Sequence, residues 1–358
     1  MKNIFYYFIK FTVRFASKCF FRKIKIIGLE NIPQEGGVLF SPNHQGAFLD
    51  PLLIGSVIPQ QVTSLTRSDV FGGKLQWFLN ALKMLPVYRI RNGYSNLRRN
   101  EEIFNKCRKL LCSNESIIMF SEAAHHNEYY LQSLSKGSSR LVYEAQVDSK
   151  FPIYLVPVGI NYGHHTKPLC DLHLVFGKPI DIRNFIDDSM SRAETINNIR
   201  EKLTSGMKKC IWLPNNDINY SIRKKLINRI NTEMDFQDLQ KGIDLMNIKA
   251  EKIYKNKLGF KFLLAITYIP NLPPLFLMKK VLSLFEDIVF YSSIKFTAGL
   301  VLFGVWWVIL YVLMGIYFNW IFGLPLVITC ILFLYIRQNL LFITVSYTHL
   351  TLPTMFEV

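Results

Sequence analysis

Short apolar runs that end in polar turns recur along residues 23–214, and longer stretches with helical spacing of apolar positions separate them. The apolar runs predict strands over 22–27, 38–40, 61–66, 116–120, 153–162 and 172–180. The intervening stretches predict helices that begin at Asp50 or cover 70–82, 95–111, 137–145 and 191–212. This alternation predicts an α/β domain over 23–214.

The N-terminal stretch, residues 1–22, has a different pattern. It is apolar and aromatic, but Lys10, Arg14 and Lys18 recur every four residues and so share one helical face. This pattern predicts an amphipathic helix on the membrane surface, with its basic stripe on lipid phosphates. The alternative is a helix that packs on the protein's own core.

The C-terminal part has the pattern of a membrane segment. Residues 296–336 contain no Asp, Glu, Lys or Arg, and polar Asn319 interrupts them near the middle. Two passes of about 20 residues each fit this length, so we predict a transmembrane hairpin over 296–337. Basic residues flank both ends, which predicts that the ends and the catalytic domain face the cytoplasm.

The remaining segments carry weaker patterns. Residues 215–295 predict a helical or interfacial linker, in which prolines within 259–278 favour a re-entrant or interfacial segment over a spanning helix. Residues 345–358 read VSYTHLTLPTMFEV, which resembles translated adapter sequence. We therefore expect a non-native tail there, and a natural chain that continues differently.

Composition narrows the possible partners. The formal net charge of +16 predicts an anionic partner, either nucleic acid or an anionic membrane with phosphate-bearing substrates. No nucleic-acid-binding module is recognisable, and the predicted apolar hairpin favours the membrane. The six cysteines lack paired spacing, so we expect reduced thiols.

The stretch FSPNHQGAFLDPLL, residues 40–53, carries the candidate chemistry. It predicts a strand, a turn with His44, and a helix with Asp50 at the N-cap and Pro51 at the first helical position. An imidazole oriented by a carboxylate can accept a proton from a hydroxyl. No nucleophile motif accompanies the pair, so that hydroxyl belongs to a substrate. The alternative is that His44 is an ordinary turn residue and Asp50 only a cap.

The segment NHQGAFLDPLL resembles the first signature of the glycerolipid acyltransferase family. Its five residues between His44 and Asp50, one more than usual, resemble the branch of fungal-type glycerol-3-phosphate and dihydroxyacetone-phosphate acyltransferases. Three further segments resemble later family blocks in the same order: 84–93, 120–123 and 153–162. The resemblance covers residues 24–212 and implies a mixed sheet flanked by helices.

The resemblance also implies roles for individual residues. His44 would be the general base and Asp50 its partner, while Arg89 would bind the acceptor's phosphate, with Arg91 and Arg67 as alternatives. Glu122 would help to shape the acceptor site.

Three further positions complete the implied site. His126 stands where the related branch also carries a histidine, and Pro157 and Gly137 would shape the acyl pocket. A proline cannot donate to a strand ladder, so we expect Pro157 at a sheet edge or an irregularity, with a role that is structural first. This chain departs from the family's Phe-Pro-Glu-Gly pattern at Ser121 and Ala123. If the turn needs a positive φ at Ala123, that residue is strained there.

The implied reaction is transfer of a fatty acyl group from acyl-CoA or acyl-carrier protein to glycerol 3-phosphate or dihydroxyacetone phosphate. It needs no cofactor and no metal, and the two His-His pairs lack the carboxylate or cysteine spacing of a metal site. One alternative acceptor is 1-acylglycerol 3-phosphate or another lysophospholipid. A second alternative is a lapsed family member that binds lipid without turnover.

Overall fold

The computed structural model describes residues 2–68, 71, 73, 76–88, 95–187, 189–249 and 258–344. Their strands are β1 (Lys23–Ile27), β2 (Gly37–Pro42), β3 (Val62–Arg67), β4 (Met84–Val87), β5 (Ser116–Ile118), β6 (Ile153–Tyr162), β7 (Asp171–Phe176) and β8 (Ile180–Asp181). Their helices are α1 (Lys2–Phe20), α2 (Leu49–Val57), α3 (Gln76–Ala81), α4 (Ser95–Cys112), α5 (Gly137–Asp148), α6 (Arg192–Lys208), α7 (Tyr220–Lys224), α8 (Phe236–Leu245), α9 (Leu258–Ile266), α10 (Leu272–Leu282), α11 (Phe290–Tyr317) and α12 (Trp320–Thr344).

The strands form one mixed sheet in the order β1-β7-β6-β2-β5-β3-β4, with β8 also paired to β6. Strands β6, β2, β5, β3 and β4 run parallel to one another. Strands β7 and β8 are antiparallel to β6, and β1 is parallel to β7. The predicted mixed sheet is confirmed. Because five strands point the same way, their carboxyl ends meet at one edge, where ligands bind in α/β sheets.

Helices cover both faces of the sheet. Along β2, Val38 and Phe40 pack with α1 and α2, whereas Leu39 packs on the opposite face with α4, α5 and α6. Successive strand residues point to opposite faces, so β2 is buried on both sides. The predicted layer of flanking helices is confirmed.

Strand β6 contains Pro157, which we expected at a sheet edge or an irregularity. The strand lies in the interior of the sheet, so Pro157 is at an irregularity and not at an edge. The β8 pairing ends at Leu155 and the β7 pairing begins at Val158, so Pro157 lies between the two neighbours. Its carbonyl oxygen accepts from Gly177 N at 2.9 Å, and the missing N–H faces this same gap. The proline ring lies against Gly206 of α6.

The predicted contact between the basic stripe of helix α1 and lipid is wrong for Lys10 and Arg14, which contact the protein instead. The Lys10 ammonium donates to carbonyl oxygens of residues 58–60, and Arg14 Nη2 donates to the Ser56 oxygen at 2.6 Å. These oxygens lie in the last turn of α2 and just after it, where unpaired carbonyls carry partial negative charge and attract cations. Burial, together with the charge of Arg14, lowers the pKa of Lys10 to about 8. Lys18 is exposed, as are the apolar side chains of Ile4, Tyr7, Phe8, Phe11 and Phe15.

Part of the predicted linker packs on the α/β domain. Tyr220, Phe236 and Leu239 are buried in one hydrophobic cluster with Trp212 and with Val175 of β7. The sheet therefore carries a further helical layer beyond residue 214, formed by α7 and α8.

Three helical segments are long and apolar enough to cross a membrane: Phe262–Leu282, Phe290–Tyr317 and Trp320–Leu341. The last two form the predicted hairpin, with its turn at Phe318 and Asn319. The first segment consists of the end of α9 and all of α10, with a break in the α-helix at residues 267–271. Its Pro273 lies in the first turn of α10, where the missing N–H would have no helical partner in any case. Residues 345–358 lie outside the described residues.

Candidate active site

His44 and Asp50 meet in the turn that follows β2. His44 Nδ1 lies 2.8 Å from Asp50 Oδ2, and the Asp50 side chain is fully buried whereas that of His44 is 17% exposed. The His44 ring stacks on Phe120, with 4.0 Å between ring centroids. When Nδ1 carries the proton toward the carboxylate, the lone pair lies on Nε2. The pair therefore has the geometry of a base that can take a proton from a bound hydroxyl.

Asp50 does not cap its helix, which corrects the predicted N-cap. Helix α2 begins one residue earlier, at Leu49, and the residue before it makes no side-chain cap. Asp50 Oδ2 instead accepts from Gln45 N at 2.9 Å and Gly46 N at 2.8 Å. The same oxygen thus holds the main chain of the turn and the imidazole. We call residues 43–50 the catalytic turn.

Tyr162, the last residue of β6, holds the other oxygen of Asp50. Its hydroxyl donates to Asp50 Oδ1 at 2.6 Å. Burial and the charge of Asp50 raise the pKa of Tyr162 well above its usual value, so the hydroxyl stays protonated. A Cβ at Gly46 would lie 2.6 Å from both Asp50 Oδ1 and the tyrosine oxygen, so only glycine fits there. Sequence reasoning missed Tyr162, although the end of β6 was predicted.

Glu122 follows β5 and fixes the catalytic turn through its main chain. Its Oε2 accepts from His44 N at 2.6 Å, and its Oε1 accepts from Gln132 N at 2.8 Å. His126 Nε2 lies 3.3 Å from Oε1, and His126 N donates to the His44 carbonyl oxygen at 3.1 Å. Because the Glu122 side chain is fully buried by these partners, it shapes the site by positioning His44.

The departure at Ser121 has a structural explanation. Its hydroxyl lies 2.5 Å from Ser41 Oγ and 2.6 Å from Ser138 Oγ, and all three serines are buried. This chain of hydroxyls joins β2, the Glu122 turn and the start of α5. Gly137 precedes it at the first position of α5, where a Cβ would lie 2.9 Å from Met119 Cε.

The departure at Ala123 leaves the turn strained, because Ala123 has φ of 60°. A left-handed backbone costs an L-residue about 1–2 kcal/mol, whereas glycine adopts it freely but loses about 0.5–1 kcal/mol in entropy. We expect Ala123→Gly to raise the free energy of unfolding by about 0.5–1 kcal/mol. Thermal unfolding in detergent, followed by tryptophan fluorescence, measures the effect.

Ala124→Gly is the matched control for this prediction. Ala124 is exposed and is not among the positive-φ residues, so glycine at position 124 should lower the free energy of unfolding or leave it unchanged. Equal shifts of the midpoint in the two variants would show that Ala123 stores no strain.

Of the three candidate phosphate-binding arginines, only Arg67 is among the described residues. Arg67 ends β3, at the same sheet edge as His44, and pairs in register with Val87 of β4. Arg89 and Arg91 lie outside the described residues. The carboxyl end of β4, at Val87, lies at the same edge as the catalytic turn.

His125 is a second imidazole beside His44 that sequence reasoning did not assign to the site. The two ring centroids are 5.6 Å apart, and His125 Nε2 lies 3.0 Å from Asp287 Oδ2. Burial lowers the pKa of His125, with further lowering from the charges of His44 and Arg67, although Asp287 opposes this. The described residues contain no cluster of three or more metal-ligating side chains.

Comparison with known proteins supports the acyltransferase class for this domain. The family model described as Acyltransferase matches residues 23–161, a stretch that includes His44, Asp50 and Glu122. No curated protein matches the chain. Among solved structures, the chain is similar to the 1-acyl-sn-glycerophosphate (LPA) acyltransferase PlsC from Thermotoga maritima, at 16% identity and a TM-score of 0.42, over 57% of this chain and 80% of that one. The match to the family model supports an acyltransferase domain over residues 23–161, in agreement with the motifs.

Proposed function

We propose that the protein is a membrane-bound O-acyltransferase of phospholipid synthesis. It transfers a fatty acyl group from acyl-CoA or acyl-carrier protein to glycerol 3-phosphate or dihydroxyacetone phosphate. The observation that carries the proposal is the His44–Asp50 pair at 2.8 Å, at the edge where the parallel strands end.

In the proposed reaction, His44 Nε2 takes the proton of the acceptor hydroxyl while the hydroxyl oxygen attacks the carbonyl carbon of the thioester. The new C–O bond forms, the C–S bond breaks, and the proton passes from His44 to the departing thiolate. Asp50 holds the ring and stabilises the transient imidazolium, as a buried carboxylate does in a catalytic triad. Positioned proton transfer of this kind contributes about 10²- to 10⁴-fold to the rate.

Arginine side chains would bind the phosphate of the acceptor. A guanidinium makes bidentate, charge-assisted hydrogen bonds to phosphate oxygens. Arg89 is the proposed principal ligand, by family resemblance, with Arg91 and Arg67 as alternatives. The basic residues that flank the apolar hairpin support a cytoplasmic catalytic domain.

The acceptor is tested by offering four alcohols in parallel to the detergent-solubilised full chain: glycerol 3-phosphate, dihydroxyacetone phosphate, 1-acylglycerol 3-phosphate and glycerol. Thiol release from acyl-CoA and from acyl-carrier protein is measured for each. We expect turnover with one or both of the first two, and a loss of at least about 10²-fold with glycerol, because a charge-assisted phosphate contact contributes about 1.5–3 kcal/mol per hydrogen bond.

A membrane preparation that lacks the chain is the control. Preference for 1-acylglycerol 3-phosphate would assign the enzyme to the lysophospholipid alternative. Equal turnover of glycerol and glycerol 3-phosphate would contradict phosphate recognition.

A further inference from the structure

The first turn of the apolar helix α11 contacts the catalytic turn directly. The Ser293 hydroxyl donates to the carbonyl oxygen of Gly46 and accepts from Leu49 N at 3.1 Å. Ser293 is fully buried, so these hydrogen bonds are shielded from water. One side chain from the membrane hairpin thus bridges the two ends of the segment between Gly46 and Leu49.

That segment is the part of the catalytic turn that most needs support. Ala47, at its centre, has φ of 46°, in the left-handed region that side chains disfavour. The amide of Gly46 donates to Asp50 Oδ2, the oxygen that also holds His44. A shift of the main chain at Gly46 therefore moves the carboxylate that orients the imidazole.

A second contact from the same segment lies on the other side of His44. Asp287, three residues before α11, holds the ring of His125, and Phe290 packs edge-on against that ring at 5.1 Å between centroids. The start of α11 therefore touches both the support of His44 and the imidazole beside it.

The length of α11 is consistent with a role for its first turns outside the bilayer. Its 28 residues span about 42 Å at about 1.5 Å per residue, whereas the hydrocarbon core is about 30 Å thick. The buried residues of the helix, including Ser292, Ser293 and Phe296, lie within its first ten positions. The apolar side chains from Leu300 onward are largely exposed.

We propose that Ser293 is a positioning residue of the acyl-transfer site, so that the membrane helix α11 fixes the geometry of the catalytic turn. The inference rests on the proposed function. It assigns to the hairpin a role in catalysis in addition to anchoring. Truncating the Ser293 hydroxyl removes a donor and an acceptor at Gly46 and Leu49 without touching His44 or Asp50.

The test compares Ser293→Ala with Ser292→Ala in the full chain, reconstituted in phosphatidylglycerol-containing vesicles. The Ser292 hydroxyl is also buried, but it donates to the carbonyl oxygen of His165, so its link to the catalytic turn is indirect, through the His165 ring, whose Nε2 lies 3.3 Å from Gln45 Oε1. We expect Ser293→Ala to lower kcat about 10- to 100-fold with KM for both substrates unchanged, because small misplacements of catalytic groups have effects of this size. Ser292→Ala should stay within about threefold of the wild type, and the two variants should share a thermal midpoint.

Ser293→Cys provides a second variant of similar volume if the alanine variant accumulates poorly. Its thiol is a weaker hydrogen-bonding group, so kcat should fall to an intermediate value. If the wild type is active and the Ser293 and Ser292 variants have equal kcat values, the inference about Ser293 is wrong, whereas the proposed function stands. A change in KM, or a loss of kcat that follows the thermal midpoint, would assign Ser293 a merely structural role. A wild type without thioester turnover on any acceptor would remove the proposed function and this inference with it.

Discussion

His44→Ala is expected to lower thioester turnover by about 10²- to 10⁴-fold, to the background rate of the assay. The variant removes the imidazole that Asp50 orients and that is proposed to take the acceptor's proton. It keeps the main-chain hydrogen bonds of residue 44 to Glu122 and His126, so the turn should remain folded. Thiol release by the purified full chain measures the loss, and thermal unfolding checks the fold.

The matched control is His164→Ala, whose ring nitrogen accepts from Thr166 outside the catalytic turn. It should retain most of the activity. If His44→Ala keeps wild-type turnover, His44 is not the base. If the wild type itself binds acyl-CoA but releases no thiol, the chain is a lapsed member that binds lipid.

Asp50→Asn is expected to give the second large loss, about 10²- to 10⁴-fold in kcat, with a folded chain. The amide oxygen can still accept from Gln45 N and Gly46 N, and the amide nitrogen can face the Tyr162 hydroxyl, which is able to accept. What disappears is the negative charge beside the imidazolium that forms during proton transfer. Steady-state kinetics and thermal unfolding separate these two effects.

Tyr162→Phe is the companion variant, because it removes one hydrogen bond from Asp50 and keeps the charge. It should cost about 1–3 kcal/mol in stability, with a smaller loss of kcat than Asp50→Asn. Full activity of Asp50→Asn would mean that Asp50 only holds the catalytic turn.

Much of the fold could be predicted because local patterns and tertiary structure agree. The apolar runs at β2, β5 and β6 are strands, and the spacing of His44 and Asp50 brings the two side chains together as expected. The hairpin turn at Asn319 was predicted because membrane segments have a length set by the bilayer. These features depend on residues close in sequence or on one strong compositional signal.

The remaining features depend on contacts between distant parts of the chain. Asp50 accepts hydrogen bonds from amides of the turn before the helix, whereas capping rules place such partners within the helix. Ser293 contacts Gly46 although the two residues are 247 positions apart. Lys10 and Arg14 have the spacing of a lipid-facing stripe, but their side chains hydrogen-bond to carbonyl oxygens at the C-terminal end of α2. A single sequence shows which side chains share a face, but not what that face meets.

The short distance along α11 between Ser293 and Leu300 has a consequence for the fate of the product. Seven residues of helix correspond to about 10 Å, so the side chain that supports the catalytic turn lies about two helical turns from exposed apolar side chains. A newly acylated chain could slide sideways along the helix into the leaflet instead of dissolving in water. On this view, the enzyme would deliver its lipid at the spot where it is made, and no carrier would be needed to take it to the bilayer.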